Sequence, residues 1–125
     1  MADLFTVTAP LLVRHADRVC VLSADHADSV SYLRALRRTL PKAMDRFKPG
    51  LVIYLAGADV CRGDLLGGLA LSPADLRRRE TFVAGLCRDR NIPLAVTLGG
   101  GYRKAAAGAA RLHAGSIKTV LKAYK

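Results

Sequence analysis

Leu51-Val52-Ile53-Tyr54-Leu55-Ala56-Gly57-Ala58-Asp59 is the stretch from which the fold of this chain is read. Residues Leu51 to Ala56 are apolar or aromatic without a break, with Pro49-Gly50 before them and Gly57 after. So short a continuous run suits a strand buried on both faces of a parallel sheet better than a half-exposed strand, which would alternate apolar and polar residues. Arg18 to Ser23 and Pro93 to Leu98 share this character. Amphipathic stretches follow each run. The order strand, helix, strand, helix, strand, helix predicts an α/β fold with right-handed crossovers and a parallel sheet covered by helices on both sides.

The first helix is expected to begin near Asp28 or Ser29 and to carry Tyr32, Leu33, Leu36 and Leu40 at helical spacing, until Pro41 interrupts it. A second helical piece would restart there, with Met44 and Phe47 inward, and stop at Lys48-Pro49-Gly50. The next helix has the clearest start: Ser72 can cap it, Pro73 suits its first position and Asp75 lies three residues after the cap. Leu76, Val83, Leu86 and Cys87 form its apolar stripe. A last helix is expected from about Arg103 to Tyr124, with Ala106, Ala110, His113, Ile117, Val120 and Leu121 on one face. Residues 1–17 are ambiguous, since Leu11 to Val13 suit a short strand while Thr6, Thr8 and Pro10 weaken a helix.

With 125 residues, of which 51% are hydrophobic, the chain fits one globular domain. No apolar run approaches the roughly 20 residues of a membrane span. The N-terminus lacks the basic and apolar regions of a signal peptide, so a cytoplasmic location and no membrane partner are expected. Cys20, Cys61 and Cys87 are odd in number and widely spaced, which signals neither a disulfide framework nor a thiolate zinc site. The net charge of +10 suits either a phosphate backbone or an acidic docking surface. However, Arg34, Arg37, Arg38, Arg77, Arg78, Arg79, Arg88, Arg90, Lys118 and Lys122 fall in helical segments, where charges ordinarily form the solvated face. No aromatic platform for stacking on bases accompanies them, so nucleic acid is not the expected partner.

In open parallel sheets, ligands gather beyond the carboxyl ends of the strands, where loops converge and helix N-termini point. Two segments fall there, Ala56-Gly57-Ala58-Asp59 and Gly99-Gly100-Gly101-Tyr102. Asp59, followed by Cys61-Arg62-Gly63-Asp64, can aim a carboxylate at a divalent metal while Asp64 braces the loop, or it can cap nearby amides. The glycine run lacks the spacing of a nucleotide fingerprint. It permits close backbone approach beside the Tyr102 phenol, or else forms a tight turn with a surface tyrosine. His113, on an apolar stripe, reads as a core histidine bonded to backbone or water, and His15 and His26 as exposed or loop residues.

Taken together, Leu51 to Asp59, Gly63-Asp64-Leu65-Leu66-Gly67, Leu69-Ala70-Leu71-Ser72 and Gly99 to Tyr102 occur in the order found in zinc-dependent histone-deacetylase-like proteins. The joint pattern resembles the bacterial members of that family most, from about Tyr32 to the last helix. The resemblance implies a three-layer α/β/α fold of the arginase/deacetylase type, in truncated form. Residues 1–27 would be a poorly matched N-terminal segment and residues 28–125 the C-terminal portion of the domain. It further implies Zn2+ as cofactor and hydrolysis of acetylamides, on acetylated lysine or acetylated polyamines. Asp59 matches the family's second aspartate zinc ligand, and Tyr102 the tyrosine that stabilises the tetrahedral oxyanion. Leu66 matches a wall of the acyl channel, and Gly100 and Gly101 its glycine-rich flank.

The family's histidine pair and Asp-x-His segment find no counterpart, since Asp25 and His26 are adjacent and His15 is followed by Ala16-Asp17. One aspartate cannot hold a catalytic zinc, which takes three protein ligands and an open position. The chain alone is therefore expected to be inactive unless completed by an N-terminal half. The alternative is a non-catalytic α/β binding or scaffold protein, self-associating through an exposed sheet edge as a homo-oligomer.

Overall fold

The computed structural model describes residues 28–125. The strand expected over residues 18–23, the alternative strand over 11–13, Cys20, Asp25, His15, His26 and the whole segment 1–27 lie outside the described residues. Helix α1 spans Ser29–Phe47, strand β1 Val52–Gly57, helix α2 Pro73–Asp89, strand β2 Leu94–Gly99 and helix α3 Ala106–Ala123. The strands pair in parallel, with Val52 opposite Leu94 and Gly57 opposite Gly99. Parallel neighbours need a crossover, and α2 supplies it.

Asp28 starts α1 by accepting a hydrogen bond from the Ser31 amide at 2.8 Å. Contrary to expectation, Pro41 does not interrupt this helix. Proline removes one donor and leaves the Arg37 carbonyl without its i+4 partner. Around that defect, Leu33 and Met44 are both buried, and Arg90 donates to the Pro41 carbonyl at 3.3 Å and pairs with Asp45 at 2.8 Å. These tertiary contacts hold the two halves of α1 in line. Lys48, at φ 44°, then closes the helix by donating its amide to the Met44 carbonyl.

The start of α2 is the one expected. The Asp75 amide donates to Ser72 Oγ at 3.2 Å, and the Ser72 amide donates to Asp75 Oδ2 at 3.0 Å. Leu76, Val83 and Cys87 are buried, and Leu86 is half-buried. Of the three consecutive arginines placed on the solvated face, Arg77 and Arg78 are exposed but Arg79 is only 4% exposed. Helix α3 corrects two further expectations. It begins at Ala106 rather than Arg103, and its buried face is turned relative to the stripe read from its apolar residues. Ser116 is buried, whereas Ala110, Ile117 and Leu121 are exposed. The physical reason is polar: the Ser116 hydroxyl donates to the buried Glu80 carboxylate at 2.8 Å, which fixes the helix rotation.

Strand side chains alternate between faces. Val52, Tyr54 and Ala56 are half-buried or buried, with Tyr54 beside Arg79 of α2, while Ile53 and Leu55 are 63% and 68% exposed. Burial on both faces was expected, but among the described residues helices cover only one. The described residues form a small α/β unit with a two-stranded parallel sheet and three helices. None of those helices is long and apolar enough to cross a membrane.

The capping box gives a first prediction. Ser72→Ala should destabilise the chain by about 1 kcal/mol in urea unfolding near neutral pH. Hydrogen bonds from the Ser72 hydroxyl and amide hold the Asp75 carboxyl below its ordinary value of 3.8. A lowered carboxyl contributes stability above that value and loses it as pH falls through the folded-state value. The gap between wild type and Ser72→Ala should therefore narrow in acid, and a gap that widens would contradict the assignment.

Candidate functional site

Because Gly57 and Gly99 are paired, β1 and β2 deliver their outgoing loops to the same rim of the sheet. The Ala58 amide donates to the Gly99 carbonyl at 2.9 Å and carries the pairing one step past β1. The loop after β1 is drawn closed at its base, where the Arg62 amide donates to Leu71 O and the Leu71 amide to Val60 O at 2.9 and 3.0 Å. Cys61 and Leu71, both buried, anchor this closure. Inside the loop, Asp64 Oδ1 accepts from the Leu66 and Gly67 amides at 2.9 and 2.8 Å. Asp64 is thus the bracing residue expected of it.

The two loops are also bonded to each other. The Leu65 amide donates to the Tyr102 carbonyl at 2.8 Å, and the Arg103 guanidinium donates to the Arg62 carbonyl at 2.6 Å. Asp59 lies against glycines of both loops. A Cβ at Gly57 would stand 2.6 Å from Asp59 Oδ1, one at Gly100 would stand 2.9 Å from Asp59 Cγ, and one at Gly67 would overlap the Asp59 carbonyl oxygen. Glycine at these positions gives the aspartate its room. Gly100 and Gly101 also take φ of +65° and +86°, where a side chain is strained.

Asp59 is exposed, Tyr102 is 57% exposed and Leu66 is 73% exposed, while Gly101 is buried between Ala58 and Ala109. The structure therefore brings Asp59, Gly100, Gly101, Tyr102 and Leu66 to one rim on two mutually bonded loops. The amide-capping role left open for Asp59 falls instead to Asp64. His113 is bonded to backbone, as expected, with Nε2 3.2 Å from the Gly100 carbonyl oxygen. It reaches back from two turns inside α3 and so touches the glycine loop.

Among the described residues no group of three or more His, Cys, Asp or Glu could hold a metal ion. A zinc ion with a catalytic role takes three protein ligands. Asp59 offers one carboxylate in a glycine cradle, so the described residues do not by themselves fit a resident zinc, and no chemical step through one follows from them.

Behind this rim lies a feature that the sequence reading missed. Arg79 donates from Nη2 to the Gly57 carbonyl at 2.8 Å and to Glu80 Oε1 at 2.9 Å, and from Nε to Glu80 Oε2 at 3.2 Å. Glu80 is fully buried and also accepts from Ser116. Burial opposes the charge on Arg79, but the Glu80 hydrogen bonds and charge outweigh it, so the guanidinium pKa is raised. The cation lies 5.8 Å from the Tyr54 ring centre. Burial pushes the Tyr54 phenol up, against the opposing charge of Arg79. A signal for Glu80 was present, since helical spacing places it on the same stripe as Leu76, Val83 and Cys87.

Residues 14–117 match the histone deacetylase domain family. The chain is 41% identical over 103 residues to histone deacetylase 2 of Arabidopsis thaliana, an overlap of 82% of this chain and 25% of that protein. It is 42% identical over 77 residues to an uncharacterized protein of a Picosynechococcus strain, covering 62% of this chain and 26% of the relative. It is 37% identical over 78 residues to type-1 histone deacetylase 1 of Dictyostelium discoideum, covering 62% of this chain and 15% of the relative. The chain thus spans about a quarter or less of the length of these curated relatives.

Three substitutions test the geometry. Arg79→Ala should destabilise by about 3–5 kcal/mol, because it leaves the Glu80 carboxylate buried without its cation. Gly100→Ala should cost about 1–3 kcal/mol through its positive φ and the Asp59 contact. Gly99→Ala, which meets nothing within 4 Å, should stay within about 0.5 kcal/mol of wild type. Equal effects at Gly99 and Gly100 in chemical denaturation would rule out the proposed crowding of Asp59.

Proposed function

The chain belongs to the histone deacetylase domain family, and we propose on that premise that it is the C-terminal portion of a zinc-dependent hydrolase that cleaves acetylamides. The substrates are acetylated lysine side chains or acetylated polyamines. In this reading Tyr102 is the catalytic residue. As water adds to the acetyl carbon, negative charge gathers on the carbonyl oxygen, and the Tyr102 hydroxyl donates a hydrogen bond to it. Leu66, Gly100 and Gly101 line the path of the acyl group. The glycines form its flank, and Leu66 offers an apolar wall.

Asp59 is one metal ligand in this reading. The remaining donors of the family's zinc site come from outside the described residues, either from an N-terminal half or from a partner chain. The observation that carries the proposal is the bonding of the two strand-exit loops, through Leu65 to Tyr102 and Ala58 to Gly99, which supports Asp59 and Tyr102 acting at one place. The lone chain is proposed to be inactive, because one carboxylate is too few ligands.

Grafting residues 28–125 in place of the matched stretch of the Arabidopsis relative tests this directly. The chimera should cleave a fluorogenic acetyl-lysine peptide, and Tyr102→Phe in it should lower kcat about 10²–10³-fold, the loss typical of one oxyanion donor. An unchanged kcat in that variant would remove the role given to Tyr102. Equilibrium dialysis of the ungrafted chain against zinc should find no ion held stoichiometrically, and one tightly held ion per chain would overturn the incomplete ligand set.

A further inference from the structure

Two helices bring five arginines to one surface. Arg34, Arg37 and Arg38 lie on α1 at three- and four-residue spacing, and Arg77 and Arg78 lie near the start of α2. All five are exposed. Between them the α1–α2 junction opens into two adjoining grooves of about 550 and 600 Å³, which share Arg37 and Arg78. Val30 and Leu33 line the first, and Phe82 lines the second. The Arg37 guanidinium lies 5.9 Å from the Phe82 ring centre, so a rim cation is held against the apolar wall.

Among the described residues, little countercharge reaches this surface. Asp75 pairs with Arg78 at 2.8 Å, and Asp28 lies close enough to Arg34 for that charge to help lower its carboxyl. Both carboxylates are already engaged in capping helices, Asp75 with Ser72 and Asp28 with Ser31. Like charges at three- and four-residue spacing repel. A carboxylate-bearing partner would relieve that repulsion, and guanidinium matches carboxylate with two parallel hydrogen bonds.

We propose that the α1–α2 surface docks an acidic amphipathic peptide segment, with its carboxylates on Arg34, Arg37, Arg38 and Arg77. Its apolar side chains occupy the grooves over Val30, Leu33 and Phe82. The apolar lining decides against nucleic acid as the occupant. A phosphate backbone brings no apolar groups to fill it, and Arg37 already occupies the face of Phe82 on which a base would stack. This surface does not depend on the deacetylase reading.

Fluorescence anisotropy on the full chain is the test, with a labelled synthetic peptide in which glutamate and leucine alternate. Polyglutamate of the same length and a short DNA duplex serve as comparison probes. The glutamate-leucine peptide should bind most tightly. Arg37→Glu with Arg38→Glu should weaken it at least about tenfold, and the milder Arg37→Gln with Arg38→Gln should weaken it less. Lys118→Glu with Lys122→Glu, which changes net charge equally on α3, should leave binding unchanged. Val30→Ser should weaken the glutamate-leucine peptide but not polyglutamate, and circular dichroism confirms that each variant keeps its helices. Equal loss from the α3 pair would overturn the proposal, as would tighter binding of the duplex or no binding of the peptide at low salt.

Discussion

In the core of this protein, two adjacent residues of α2, Arg79 and Glu80, hold each other as a buried ion pair, and the other elements are arranged around them. Taking both charges out of water costs several kcal/mol per ion, and that cost is tolerable only where every polar atom finds a partner. The partners come from different parts of the chain: the Gly57 carbonyl at the end of β1 and the Ser116 hydroxyl on α3. Moving any one of the three elements would leave a charge buried and unsatisfied. The pair therefore acts as a register pin, fixing where β1 ends and how α3 is rotated.

The end of β1 is also the start of the candidate site. Asp59 follows the pinned Gly57 by two residues and sits against the glycines of both loops, so backbone approach rather than side-chain packing determines its surroundings. The loop after β2 is then attached by Leu65 to Tyr102 and by Arg103 to Arg62. An unbroken physical path leads from the core ion pair to the rim, in which each contact is a hydrogen bond or a steric limit.

The surface has two different characters. Ile53, Leu55, Ile117 and Leu121 present apolar side chains on the outer face of the sheet and on α3. The α1–α2 side instead concentrates guanidinium groups over a shallow apolar lining. The excess of 20 basic over 10 acidic residues is thus unevenly placed, since the strand-exit loop after β1 carries Asp59 and Asp64 while the helices carry most of the arginines. Local clustering, rather than net charge, is what recommends one face for an acidic partner.

Much of this architecture was legible from residues alone, because the signals involved are local. The apolar runs located both described strands to within one residue, Ser72-Pro73-Asp75 marked the start of α2, and the glycines around Asp59 and Tyr102 marked the two loops that meet at one rim. Other features depended on distant partners. Pro41 reads as a break until Arg90 and the buried Met44 are seen to hold α1 together. Arg79 reads as one more surface arginine until Gly57 and Glu80 enclose it. The apolar residues of α3 suggest one inward face, but the hydroxyl of Ser116 selects another. Sequence by itself determined the two described strands, the start of α2 and the segments placed at the rim, since these follow from periodicity and backbone preference over a few neighbouring residues. Only the tertiary structure decided which charges are buried, how α3 is turned and how closely the two loops meet, because a buried polar group can be satisfied only by atoms that the folded chain brings together.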